Sequence, residues 1–275
     1  GLSLYVETGS ITGFLGQNGA GKSSTIKMLL GMMRPTSGGG RVLGHDITDQ
    51  TASLAMRRRV AYVAEDKRLY DYMTVGQLIS FTKAFYPTWR TDVEQRLLGE
   101  FRLPLDRVTK KLSKGMRTQT ALLLALARGA DLFILDEPTE GLDPVAAEMV
   151  LQFVVAASAD GATIFFSSHQ VAEVEQIADR VLMIDRGRLV LDTTLDAVKE
   201  QFRRIRAVYD EPNNVDLGAL AGVRRVHVDG RIVSVIASHN VKTIVEQLHQ
   251  YPTSSVEVTP LTLKEVLLES IGTRA

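Results

Sequence analysis

The stretch ITGFLGQNGAGKSSTIKMLL, residues 11–30, decides the fold. Its apolar opening, Ile11, Phe14 and Leu15, reads as a buried strand, and Ser24 to Leu30 leaves as a helix. Between them Gly16, Gly21, Lys22 and Ser23 fit the spacing G-x-x-x-x-G-K-[ST]. The spacing follows from the chemistry of a triphosphate. A loop that curls its backbone N–H groups inward at a helix N-terminus satisfies several negative charges at once. Gly16, Gly19 and Gly21 permit the close approach and the backbone angles that side chains block. Lys22 reaches the β- and γ-phosphates and is a candidate catalytic cation, while the Ser23 hydroxyl is placed to ligate Mg²⁺. Gly16, Gln17, Asn18, Gly19, Ala20, Gly21, Lys22, Ser23 and Ser24 are therefore the candidate nucleotide-binding residues.

Outward from that loop, composition sets the bounds. At 275 residues the chain has room for one large domain or two smaller ones. Lys plus Arg and Asp plus Glu both number 32, a neutral balance with no electrostatic footprint for nucleic acid or an anionic membrane surface. The absence of cysteine excludes disulfides and Cys-ligated zinc. The longest apolar runs, near 121–127 and 149–157, are too short to span a bilayer, so any membrane role is expected through a partner. Residue 1 is Gly rather than Met, with no signal-peptide pattern before the first strand.

Leu2, Leu4 and Val6 alternate as a half-buried strand does, and Arg41–Leu43 reads as another short strand turned by Gly44-His45-Asp46. From Thr74, a candidate N-cap, to about Arg128 the pattern is helical, with Trp89 read as a packing residue in a connecting loop. Leu132-Phe133-Ile134-Leu135-Asp136-Glu137 is a continuous apolar strand ending in two carboxylates, as expected of a strand buried on both faces. Alternating helices and strands to Leu191 imply βαβ units around a parallel sheet. Near Gln201 the pattern changes to short strands and helices, with turns at Pro212-Asn213-Asn214 and Asp229-Gly230. The expected organisation is an α/β nucleotide-binding domain over 1–200, with a mainly helical subdomain at about 68–128. A small α+β accessory domain follows over 203–275. His227, His239 and His249 are too scattered for a metal set.

Asp136 at a strand end can hold Mg²⁺ opposite Ser23, and Glu137, one residue further out, can orient and deprotonate an attacking water. LSKGM at 112–116, LDEPTEGLD at 135–143 and SSH at 167–169 then follow in order. With the phosphate loop, these motifs resemble an ABC-transporter nucleotide-binding subunit over about residues 2–198. The resemblance implies a P-loop NTPase core that binds ATP and Mg²⁺ and hydrolyses ATP. Two such subunits would sandwich the nucleotides and drive a separate transmembrane permease. It places the chain in the cytoplasm, peripheral on the inner face of the cell membrane through that permease. It also makes Ser113 and Gly115 ligands of the γ-phosphate bound by a second ATP-binding subunit, sends Asp143 across the dimer seam, and gives His169 the γ-phosphate and the water.

Three departures stand out. Lys114 and Met116 replace Gly and Gln of the family's LSGGQ; Glu65 stands where the family has a Gln that touches Mg²⁺; and the adenine-stacking aromatic is expected upstream of Gly1, Tyr5 falling too late. Glu65 is a candidate metal residue, or else a surface charge paired with Lys67 or Arg68. The altered signature, Phe85-Tyr86-Pro87-x-Trp89 and the ending PLTLKEV at 260–266 are similar to bacterial ABC exporter ATPases with a small C-terminal domain. Two other readings remain at this point: a soluble ABC-type ATPase acting on nucleic acid or ribosomes, and a nucleotide-sensing scaffold with little turnover.

Overall fold

The computed structural model describes residues 1–211, 217 and 220–272, and the Pro212-Asn213-Asn214 turn lies outside the described residues. The chain divides into two compact units, Gly1–Leu189 and Val190–Ala275, so the division falls ahead of the 200/203 boundary expected from the sequence.

The first unit runs β1 (Ile11–Leu15), α1 (Lys22–Leu29), β2 (Arg41–Val42), β3 (His45–Asp46), α2 (Gln50–Arg59) and β4 (Val60–Val63). A helical arm follows: α3 (Val75–Lys83), α4 (Thr91–Phe101), a short 3₁₀ turn and α5 (Lys114–Leu126). The chain then returns through β5 (Leu132–Asp136), α6 (Pro144–Ala159), β6 (Thr163–Ser168), α7 (Val171–Ile177) and β7 (Arg180–Asp185), and β8 (Arg188–Thr194) is the strand at which the division falls.

The main sheet has the order β4-β5-β6-β1-β7-β8, and β4, β5, β6, β1 and β7 are mutually parallel. Every residue of β1, β5 and β6 is buried, and β5 accordingly reads as a continuous apolar run up to Asp136. Register levels their ends: Leu15 pairs with Ser168 and Asp136 with Ser167. In open α/β sheets the crevice beyond such carboxyl ends takes the ligand. Beneath it Phe14, Ile26, Met56, Ile134, Phe165 and Leu182 form the core, the Phe14 and Phe165 rings 5.2 Å apart.

Thr74 caps α3 in a reciprocal capping box with Gln77, and its hydroxyl accepts the Gln77 N–H. Two short elements differ from the sequence reading. Leu2, Leu4 and Val6 pack against the core with alternating exposure but join no strand ladder, so the alternation reports burial without pairing. Arg41–Leu43 is half of a hairpin instead of a lone strand, because Leu43 and Gly44 both take positive φ (51° and 81°) and turn β2 back onto β3.

In the second unit α8 (Leu195–Gln201), capped by the Thr194 hydroxyl, was not expected. After it come β9 (Arg203–Tyr209), β10 (Val223–Asp229), β11 (Ile232–Ala237), α9 (Val241–Leu248), β12 (Thr253–Pro260) and α10 (Leu263–Gly272). The strands form an antiparallel sheet in the order β10-β11-β9-β12. Ile205, Ala207, Val233, Val235, Ile244 and Leu248 make its core, and the buried Tyr209 hydroxyl donates to the Leu248 carbonyl at 3.2 Å. Among the described residues no helix is long and apolar enough to cross a membrane.

Candidate active site

The phosphate loop leaves β1 at Gly16. A Cβ there would lie 2.7 Å from the Ile184 carbonyl oxygen, so the loop passes β7 only with glycine at this position. Gly21 caps α1 at φ 111° with no side chain occupying the helix N-terminus, which leaves those N–H groups for an anion. Gln17, Asn18, Gly19 and Ser24 are exposed along the lip, and Ala20 packs into the core.

Lys22 is buried. Its ammonium donates to the Gly16 carbonyl at 2.7 Å and lies 3.3 Å from Glu137 Oε1. Glu137 is buried too and holds a left-handed backbone, φ 48°. Its N–H points to the Ser167 carbonyl (3.2 Å) and hydroxyl (3.1 Å), and its Oε2 lies 2.8 Å from His169 Nδ1. Oε1 makes no aligned hydrogen bond; the Lys22 contact is ionic only, so this buried oxygen keeps accepting capacity. Asp136 Oδ1 accepts the Ser167 hydroxyl at 2.5 Å, a contact that follows from their pairing across β5 and β6.

Ser23 Oγ donates to Glu65 Oε2 at 3.3 Å, on the wall of a cavity of about 410 Å³ that Asp136, Lys67, Lys114 and Glu140 also line. Ser23, Asp136 and Glu65 thus offer one hydroxyl and two carboxylates, an all-oxygen set suited to a hard cation. No cluster of three or more His, Asp or Glu forms a metal group among the described residues, so phosphate oxygens and water would complete the shell of Mg²⁺. Glu65 is not paired with its basic neighbours. Arg68 pairs with Asp66 at 2.6 Å, and Lys67 turns inward to the Glu137 carbonyl at 2.6 Å. Burial pushes the Lys67 ammonium below the usual lysine value, while the charges of Glu140, Asp136, Glu137 and Glu65 oppose that shift. The Tyr62 phenol on the same wall is pushed up to about 12, by burial first and then by Asp136, Asp66 and Glu65.

The remaining sequence-predicted residues sit apart. Ser113 caps α5, accepting the Met116 N–H at 3.2 Å, and Gly115 lies inside the first turn of that helix. Asp143 caps α6 through the Val145 and Ala146 N–H groups, at 3.1 and 3.0 Å. None of the three lines the cavity at Ser23. Lys114, the first of the signature departures, pairs with Glu140 at 2.7 Å and, mainly through that hydrogen bond, holds its carboxyl below the usual range.

Sequence reasoning missed the roles of three residues here: Ser167, Lys67 and Glu173. The buried Glu173 on α7 accepts the Thr139 hydroxyl at 2.5 Å and the Ser168 hydroxyl at 2.7 Å, joining the loops that carry Glu137 and His169. Its partners lie 34 and 5 residues away, and no local pattern reveals them.

A family model described as ABC transporter matches residues 1–140. The chain belongs to the ABC transporter family. An uncharacterized ABC transporter ATP-binding protein of Nostoc is 36% identical over 203 residues, 71% of this chain and 59% of that protein. The ABC transporter ATP-binding protein NatA of Bacillus subtilis is 32% identical, over 74% of this chain and 84% of its own length. Among solved structures, an ATP-binding subunit of an ABC transporter superposes with a TM-score of 0.66 at 32% identity, covering 72% of this chain and 84% of that one. The match spans 56 to 61% of the length of the first curated relatives. Membership of the family supports ATP as the nucleotide.

Proposed function

We propose that this ABC family chain is the ATP-hydrolysing subunit of a transporter, driving a separate membrane permease by ATP-dependent closure of a dimer. The observation that carries the reading is Glu137, gripped through its backbone and Oε2 while buried Oε1 keeps accepting capacity. A water held there is deprotonated by Glu137, and His169 fixes the carboxylate's orientation through Nδ1. Lys22 and the N-terminus of α1 hold the β- and γ-phosphates as the γ-phosphoryl leaves. Ser23, Asp136 and Glu65 would hold Mg²⁺, which would supply charge neutralisation at the phosphates. Catalysis is then mostly positioning and electrostatics.

Ser113, Gly115 and Asp143 do not line the cavity at Ser23, which supports their service to a second subunit's ATP. A row of exposed aromatics supports a protein partner. Tyr72, Tyr70, Phe81 and Phe85 stack in series with centroids 6.0, 5.7 and 5.1 Å apart, just beyond the Glu65 turn. With the permease as that partner the chain is cytoplasmic and peripheral on the inner face of the membrane, and nucleic acid is not among its ligands. Residues 203–275 act as an accessory domain for pairing or regulation. Mixing Ser113→Arg and Lys22→Ala chains tests the arrangement. Each mixed dimer should keep one working composite site and regain turnover that neither parent shows; no recovery would refute the shared site.

A further inference from the structure

The turn at Ala64–Lys67 presents two charges in different directions. Glu65 faces the Ser23 hydroxyl, and two residues later Lys67 is buried with its ammonium 2.6 Å from the Glu137 carbonyl and 3.5 Å from that of Asp136. Lys67 itself takes φ 40°, closed by its N–H to the Ala64 carbonyl at 3.2 Å. A left-handed backbone is strained for a non-glycine residue and persists only where the surroundings over-determine it. Glu137 is such a residue, and its peptide groups are held from both sides. Its N–H is tied to Ser167, and its carbonyl accepts both Lys67 Nζ and the Glu140 N–H, the latter at 3.2 Å. Without Lys67 the Ser167 tether remains, and the carbonyl keeps only the longer bond from its own turn.

We infer that Lys67 is a positioning residue for hydrolysis: it locks the backbone of Glu137 so that the carboxylate meets the water, and it ties the Glu65 turn to the end of β5. The inference rests on the reading of Glu137 as the base. Lys67 gives the Glu137 carbonyl the shorter of its two hydrogen bonds, 2.6 Å against 3.2 Å from the Glu140 N–H. The place also suits a cation, since Glu65, Asp136 and Glu140 line the same cavity wall as Lys67, and Glu137 lies beside the other buried ammonium, Lys22, at 3.3 Å. A neutral residue at position 67 would leave that wall with less compensation. A misplacement of about 1 Å at a reacting group costs up to roughly 10²-fold in rate.

The test uses the full chain with Lys67→Met, Glu137→Gln and the double variant, and Lys67→Gln in place of Lys67→Met if the latter does not fold by circular dichroism. Lys67→Met should lower kcat roughly 10- to 100-fold with KM for ATP within about twofold. It should lower the residual single-turnover rate of Glu137→Gln no further, because Lys67 acts through Glu137. Hydrogen–deuterium exchange of the nucleotide-free chain gives a second readout. Peptides over 136–140 and 64–68 should exchange faster together in Lys67→Met, and those over 11–15 should not change. Full turnover in Lys67→Met beside a collapsed Glu137→Gln overturns the inference and spares the base. An equal loss in both backgrounds, or unchanged exchange at 136–140, also overturns it. Full turnover in Glu137→Gln removes the base itself, a separate failure.

Discussion

Replacing Glu173 by Ala should loosen two loops at once, although Glu173 itself touches neither phosphate-loop residue nor metal candidate. Its carboxylate accepts hydroxyl donors from Thr139, two residues past Glu137, and Ser168, one residue before His169. A hydrogen bond to a charged group contributes about 1.5–3 kcal/mol. Ser168 keeps its exchange with Gln170, whose N–H lies 2.9 Å from the hydroxyl, so its loss belongs at the low end. Thr139 is buried and keeps no comparable acceptor. Removing the carboxylate also relieves its own desolvation, leaving a net loss of about 2–3 kcal/mol. For a unit of this size each kcal/mol moves Tm about 2–4 °C, so Glu173→Ala should melt about 5–10 °C lower. Glu173→Gln keeps one acceptor and should lose less than half as much. Calorimetry on the three proteins decides it, and a Glu173→Ala melt within about 1 °C of the parent would refute the bridging role.

Glu65→Gln should bind ATP more tightly in chelator and reach half-maximal turnover at lower Mg²⁺, because it removes a full negative charge beside Ser23; superimposable Mg²⁺ titrations would place Glu65 outside the metal's reach. Deleting 203–275 should spare nucleotide affinity, measured by calorimetric titration, and alter pairing or regulation; loss of ATP binding in a folded product would refute that division. Lys114→Ala should let the Glu140 carboxyl rise toward its ordinary value, readable by carbon NMR. Because Glu140 is depressed in the folded chain, the pair's stability is present above the unfolded value of about 4.5 and is lost as pH falls through the folded pKa. Urea unfolding should therefore show a difference under about 1 kcal/mol at pH 7 that shrinks as pH falls below about 4.5, the pair being largely solvent-exposed.

The phosphate loop and the β5 carboxylates were legible because each is set by short-range pattern: an apolar run, a glycine spacing, acids at a strand end. Lys67 was not. A lysine beside Asp66 and Arg68 reads as a solvated surface charge, and only the positive φ of the turn sends it inward while Arg68 takes Asp66. Ser167 was visible as part of SSH, yet its grip on Asp136 depends on the register of two strands 31 residues apart. Trp89 is half-buried and its indole N–H donates to Glu94 at 2.6 Å, a contact its sequence spacing alone does not specify.

The central claim, that Glu137 activates water against ATP held at Gly16–Ser24, is tested most directly by measuring ATP binding, assembly and turnover in Glu137→Gln. The substitution keeps the shape and removes the base, so affinity should stay near that of the parent, sizing should show an ATP-trapped dimer, and turnover should fall roughly 10²- to 10⁴-fold. Unchanged turnover with intact ATP binding would contradict the account.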